Sequence, residues 1–200
     1  MQRHTTRHLI CIPIIHTEAD LGSLSESIRR LHIERTGLQQ WDRRIKTVDE
    51  MWRTIRAQIQ SLNLDYIKTR LYQDGLPTCG HEEKIIRDLA QAGSQNHRVL
   101  LELMEKGARL VGTESPELLL EEYDLARQVL VSLCEGSMGR ADQDPRGGRG
   151  KDLLEKRDRY IAERINETLV NGEGGLIFLG LLHSLEGYLP MDIKVTYLGS

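Results

Sequence analysis

The chain carries two short, mainly apolar runs, Leu9 to Ile15 and Leu176 to Leu182, separated by segments whose apolar residues recur every three or four positions. Apolar runs of this length suit strands buried on both faces, whereas the wider spacing marks helices with one apolar stripe. Pro13 interrupts the first run on one side, which predicts a position near the strand end or at a bulge. The second run is preceded by Gly174-Gly175, is broken by Gly180 and stops at His183. It predicts a strand fed by the amphipathic stretch Leu153 to Leu169, and the pair reads as half of an α/β crossover.

The same reading fills the interval. Ile45, Val48, Met51, Trp52, Ile55, Ile59 and Leu62 predict a helix over 38–62. Tyr66 to Tyr72 is rich in aromatic and β-branched residues and predicts a strand, ended by the turn signal Asp74-Gly75-Leu76-Pro77. Helices are expected over 82–92 and from a Ser94 cap through Met104, followed by a short strand over 108–112. Pro116 opens a helical run through Leu133, and 151–170 forms another helix with Leu154, Ile161, Ile165 and Leu169 inward. Between them, Gly136 to Gly150 predicts an internal flexible loop. Asp192 to Leu198 reads as a last strand at an edge, and the polar opening Met1 to Arg7 as frayed. Alternating strands and helices predict one α/β domain over 1–200, with a mostly parallel or mixed sheet, flanking helices and helical insertions.

Composition narrows the class. Two hundred residues with 39% apolar content and a formal charge of -3 describe a globular protein with no phosphate-binding footprint, so nucleic acid is not an expected partner. Neither apolar run is long enough to span a bilayer, and His16 interrupts the pattern that a signal peptide would extend, so a cytoplasmic location is expected. Three cysteines without C-x-x-C spacing indicate neither a disulfide framework nor a cysteine zinc site.

Candidate chemistry lies at the strand exits, where α/β sheets bind ligands. His16, Glu18 and Asp20 follow the first run, Glu114 follows the third predicted strand, and His183 ends the last long run. If those strands are near neighbours, His16, Glu114 and His183 converge as two imidazoles and a carboxylate. Such a set holds a divalent transition metal such as zinc, manganese or iron. Glu18 or Asp20 would orient a histidine or act as base. Asp74 also sits at a strand exit, although an Asp-Gly turn accounts for it without chemistry. His81-Glu82-Glu83 reads equally as a helix start with acids at the positive end. On the helix over 151–170, Arg157 can clamp an anionic or carbonyl oxygen and Asp158 can hold a histidine.

The segment Leu154 to His183 resembles the C-terminal signature of the superfamily of TraB and Tiki proteins, haem-binding ChaN proteins and erythromycin esterases. In TraB and Tiki relatives a helix carries Glu-Arg-Asn, matched here by Lys156-Arg157-Asp158, and a strand ends in Gly-x-x-His, matched by Gly180-Leu181-Leu182-His183. The family's first Gly-x-x-His would fall on Pro13-Ile14-Ile15-His16, where the glycine is lost, and its central glutamate on Glu114. The resemblance implies a site of His16, Glu114, Arg157 and His183, with haem as a cofactor in some relatives.

The leading expectation is a metal-assisted hydrolase of amide or ester bonds acting on a small molecule or peptide. His16, Glu114 and His183 would hold the ion, Arg157 would stabilise an oxyanion, and Glu18 or Asp158 would move protons. A metal-free hydrolase with a histidine base is one alternative. Another is a non-catalytic module binding haem or a small ligand. A structural protein whose helices dock on another chain, including a homo-oligomer, is a third.

Overall fold

The structure, a computed structural model, describes residues 6–15, 25–134 and 147–199. Five strands form one sheet in the order β3-β2-β4-β1-β5, comprising β1 (Arg7–Ile14), β2 (Thr69–Gln73), β3 (Arg109–Val111), β4 (Gly174–Gly180) and β5 (Ile193–Tyr197). Every ladder among them is parallel. Among the described residues six α-helices connect them: α1 (Ser25–Thr36), α2 (Leu38–Ser61), α3 (Glu82–Gln91), α4 (Gln95–Glu105), α5 (Pro116–Cys134) and α6 (Gly147–Thr168). This is the single α/β domain that the alternating pattern predicts.

The strands sort their side chains strictly by parity. Ile12, Ile14, Leu71, Leu176 and Phe178 join a core with Trp52 and Ile55 of α2, Ile86 of α3 and Leu100 of α4. Leu9, Cys11, Tyr72, Ile177 and Leu179 face the other way, against Ile161 and Ile165 of α6. Successive side chains on a strand point to opposite faces, so a strand buried on both favours apolar residues at successive positions. That is why the two apolar runs are β1 and β4, the interior neighbours.

Several boundaries differ from expectation for local reasons. Tyr66–Lys68 form a single 3₁₀ turn in which Lys68 N donates to the Asp65 carbonyl, so β2 begins only at Thr69. β4 ends at Gly180, and Leu181 and Leu182 leave the sheet in a turn. α1 has a weak apolar stripe among Arg29, Arg30, Glu34 and Arg35 and carries no clear sequence signal. Gly147 to Gly150, expected in the loop, form the first turn of α6, while the rest of the loop before them lies outside the described residues. First-turn N–H groups have no intrahelical acceptor in any case, so glycine costs less there than in a helix interior. No helix among the described residues is long and apolar enough to cross a membrane.

Arg7, expected in a frayed tail, is instead 8% exposed. Its Nη1 donates to the carbonyls of Asn166 and Leu169 at 2.8 and 2.9 Å, its Nη2 to Asn166 Oδ1, and its Nε to Asp192 Oδ2 at 2.8 Å. One guanidinium therefore caps the carbonyls at the α6 C-terminus, where a cation is favourable, and ties that end to the start of β5. Arg7→Ala is expected to lower unfolding stability by about 2 kcal/mol, because buried carbonyl acceptors lose charge-assisted donors. Arg7→Lys should recover only part of this in urea denaturation, since an ammonium cannot reach all four acceptors at once.

Candidate functional site

The site arises at a point set by the strand order. From β2 the chain moves outward to β3 through α3 and α4 on one face; from β4 it moves the opposite way to β5, with Leu185 packed on the α6 face. Connections that diverge in this way leave a crevice between the carboxyl ends of β2 and β4. Asp74 is the first residue beyond β2, and His183 lies three beyond β4.

Asp74 continues the ladder, its N–H donating to the Phe178 carbonyl at 3.0 Å, and its Oδ2 accepts from Gly180 N at 3.0 Å. Glu114 reaches the same place because the exit of β3 is fastened to the loop after β2. Thr113 N and Glu114 N both donate to Leu76 O, Thr78 N donates to Glu114 O, and Thr113 Oγ1 accepts from Gln73 N. This close approach requires Gly112, where a Cβ would lie 2.8 Å from the Thr78 Cα and 2.8 Å from Glu82 Oε1. The turn itself needs Gly75 at φ 79°, and its N–H donates to Glu114 Oε1 at 3.0 Å.

From the opposite face, α6 sends two adjacent side chains into the crevice. Arg157 Nε donates to Glu114 Oε2 at 2.9 Å, and Nη2 donates to Glu114 Oε1 at 2.5 Å and to Asp74 Oδ1 at 2.8 Å. Its Nη1 lies 2.6 Å from Glu122 Oε2 of α5. Asp158 Oδ1 is 2.5 Å from His183 Nδ1, and its Oδ2 accepts from Ser184 N at 3.1 Å. His183 Nε2 is thereby aimed at Asp74 Oδ1, 3.3 Å away. Asp74, Glu114 and His183 each offer a ligand atom, all within 4.8 Å of one another, and so form a buried cluster able to hold a metal ion.

Burial governs the charges. It would depress the His183 imidazole, but the hydrogen bonds to Asp158 and Asp74, with the negative charge of Asp74, outweigh both this and Arg157 and push it up to about 9. Burial pushes the Glu114 carboxyl up, and Asp74 adds to the effect, against the opposing pull of Arg157. For Arg157 itself, burial opposes the charged form, yet Glu114, Asp74 and Glu122 hold it charged above its ordinary value.

Of the residues singled out in the sequence, Glu114, Arg157, Asp158 and His183 come together here. His16, Glu18 and Asp20 lie outside the described residues. β3 is not adjacent to β4: β2 lies between them, and it brings Asp74, which the turn alone had seemed to explain. The helix that carries Arg157 begins at Gly147, ten residues before it, so the arginine lies in the helix interior. Glu122 carried no sequence signal, being one of several acids on α5. Glu82 Oε1 accepts from Cys79 N and Gly80 N, an ordinary start for α3, with His81 exposed beside it. A signal for Arg157 did exist. Leu153, Arg157, Ile161, Ile165 and Leu169 recur every four residues and are all buried, so one charge interrupts an apolar stripe and demands buried counter-charges.

No family model, curated protein or solved structure matches the chain.

Two outcomes follow for the metal-free protein. His183 should titrate near pH 9 by NMR, and in Asp158→Asn the midpoint should fall toward 6.5, the ordinary value, as the carboxylate is lost. Because the folded value lies above the unfolded one, His183 contributes stability fully below pH 6.5 and loses it as pH rises through 9. Its upper size is about 3 kcal/mol, so wild type and His183→Gln should differ most in unfolding free energy at pH 6 and converge by pH 10. Gly112→Ala should cost about 1–3 kcal/mol by overpacking against backbone.

Proposed function

We propose that this protein is a metal-assisted hydrolase of amide or ester bonds, with a divalent transition metal held by His183 Nε2 and the carboxylates of Asp74 and Glu114. The supporting observation is the meeting of those three donors within 4.8 Å at the sheet's crevice, with Asp158 on the other ring nitrogen of the histidine. The donor set fits such an ion: one borderline imidazole, two carboxylates, and a carboxylate–histidine pair that fixes the tautomer presenting Nε2. When bound, the ion supplies Lewis acidity toward a substrate carbonyl and toward water.

The chain's own groups take the remaining roles. Asp158 keeps the proton on His183 Nδ1 and holds the turn through Ser184 N. Arg157 keeps both metal-facing carboxylates aimed and balances their charge. Its Nη1 is the arm a substrate oxygen can compete for, because the partner Glu122 side chain is 39% exposed whereas those of Glu114 and Asp74 are 0% and 3%. Developing oxyanion charge would be met there. His16, two residues beyond the end of β1 in the sequence and outside the described residues, is proposed as the second imidazole. The likeness to the TraB, Tiki, ChaN and erythromycin-esterase superfamily belongs to the same proposal, since it carries Glu114, Arg157 and His183.

The competing readings are weaker on specific grounds. A His183 held protonated up to about pH 9 is unavailable as a base near neutrality, which counts against a metal-free mechanism through it. The cluster gives haem no support, because Nε2 faces the Asp74 carboxylate at 3.3 Å rather than an apolar slot.

Elemental analysis after incubation with zinc, manganese or iron should find about one ion per chain, with affinity in Asp158→Asn about 10–100-fold weaker. His183→Ala, checked for folding by circular dichroism, should retain none. Ester or amide turnover should stop with chelator and return on metal addition. No retained ion under any of these conditions would sink the metal proposal. A retained ion without turnover would favour a non-catalytic binding module.

A further inference from the structure

The turn that delivers His183 is chemically unusual. His183 N donates to Gly180 O at 3.0 Å, which makes Leu181 and Leu182 the two central residues of a four-residue turn. Such positions ordinarily carry glycine, asparagine, aspartate, serine or proline, for conformational reasons and because they face water. Here both are leucine, and they are 67% and 66% exposed. Neither can withdraw by shifting the turn. Gly180 N is fixed on Asp74 Oδ2, the His183 ring on Asp158 Oδ1 and Ser184 N on Asp158 Oδ2. Two apolar side chains are therefore held outward by the same hydrogen bonds that assemble the cluster. The β1–β4 register pairs Ile14 with Gly180, so Ile15, 40% exposed, is the first residue beyond β1 as Leu181 is the first beyond β4, at the neighbouring strand exit.

We infer that Leu181 and Leu182, with Ile15, form an apolar lip that binds the aliphatic portion of an uncharged ligand, such as the acyl chain of an amide or ester, beside the reacting carbonyl. The inference rests on the hydrolase reading for the position of that carbonyl. Three side chains are far short of the roughly 800 Å² and 20–30 residues per partner that a stable protein interface requires, which argues for a small ligand over a second chain. In the metal-free protein, with Arg157 already shared among Glu114, Asp74 and Glu122, a free fatty-acid carboxylate meets more negative charge than positive, so the fitting head group there is a neutral one.

The test uses neutral primary amides of increasing length, from butanamide to octanamide, with the full chain and no added metal. Binding is followed by saturation-transfer NMR. A fully buried methylene is worth about four-fold in affinity, and a lip that covers one side should give about two-fold per methylene. The increment should vanish in Leu181→Ser/Leu182→Ser, whose substitutions fall on exposed turn positions and should leave circular dichroism and the His183 titration unchanged. Affinity independent of chain length, or a chain-length increment that persists in the double variant, would overturn the inference. So would a wild-type dimer in sedimentation velocity that the double variant dissolves, because the leucines would then belong to a protein contact. Metal uptake and turnover measured on the same preparation separate the two readings. Chain-length binding without turnover removes the hydrolase and leaves the lip as a ligand site, whereas turnover indifferent to chain length removes the lip and leaves the hydrolase.

Discussion

The buried guanidinium of Arg157 is the constraint on which the rest of the architecture depends. Moving a single charge out of water costs several kcal/mol even after relaxation, and the cost is recovered only if nearly every polar atom finds a partner. Arg157 is 3% exposed, and it finds carboxylates from three separate parts of the chain: Asp74 after β2, Glu114 after β3 and Glu122 on α5. The network therefore binds α6 to the sheet's carboxyl edge and fixes the spacing of the two strand exits. Replacing Arg157 alone would strand Asp74 and Glu114 as buried unpaired carboxylates at a cost of about 3–5 kcal/mol, whereas replacing the whole ion network by apolar residues of similar volume would cost little, so stability alone is a poor reason for the network. What the ion network secures is the placement of two carboxylates within 4.8 Å of a histidine nitrogen.

Topology decides where that placement becomes chemistry. The chain leaves β2 toward one edge and β4 toward the other, and the crevice between them receives Asp74 from one strand and His183 from the other. Asp158, the neighbour of Arg157 on α6, holds the imidazole and the backbone that follows it. Two successive helix positions thus serve two halves of one site. The carboxylate on Nδ1 makes His183 a stronger base than a free imidazole, which favours a cation at Nε2, whether a proton or a metal ion. The same hydrogen bonds that aim Nε2 inward fix the turn that carries the exposed Leu181 and Leu182, so the cluster and that turn have one structural origin.

The fold was largely legible in the sequence because it follows from local periodicity. A strand covered on both sides favours apolar residues at successive positions, as in Leu9 to Ile12 and Leu176 to Leu179; a helix covered on one side has to repeat every three or four residues, and α2 through α6 do. The exceptions have physical causes. α1 carries too few apolar residues among its charges to mark a stripe, and Arg7 reads as a polar tail because the carbonyls it caps lie 159 and 162 positions away. Gly147 to Gly150 look like a loop because composition does not reveal where a helix's first turn begins.

The candidate site divides along the same line. Which residues stand at strand exits was determined by the sequence, since those positions follow from where apolar runs stop; Glu114 and His183 could be named on that basis, and Arg157 and Asp158 on their place in the helix over 151–170. Which of them meet was decided only by the tertiary structure. Strand order is set by long-range pairing that leaves no local mark, and it inserted β2 between β3 and β4, turning Asp74 from a turn residue into a member of the cluster. The orientation of Arg157 toward carboxylates rather than open solvent likewise depends on sheet and helices closing around it, because a buried charge selects its partners only once water has been excluded.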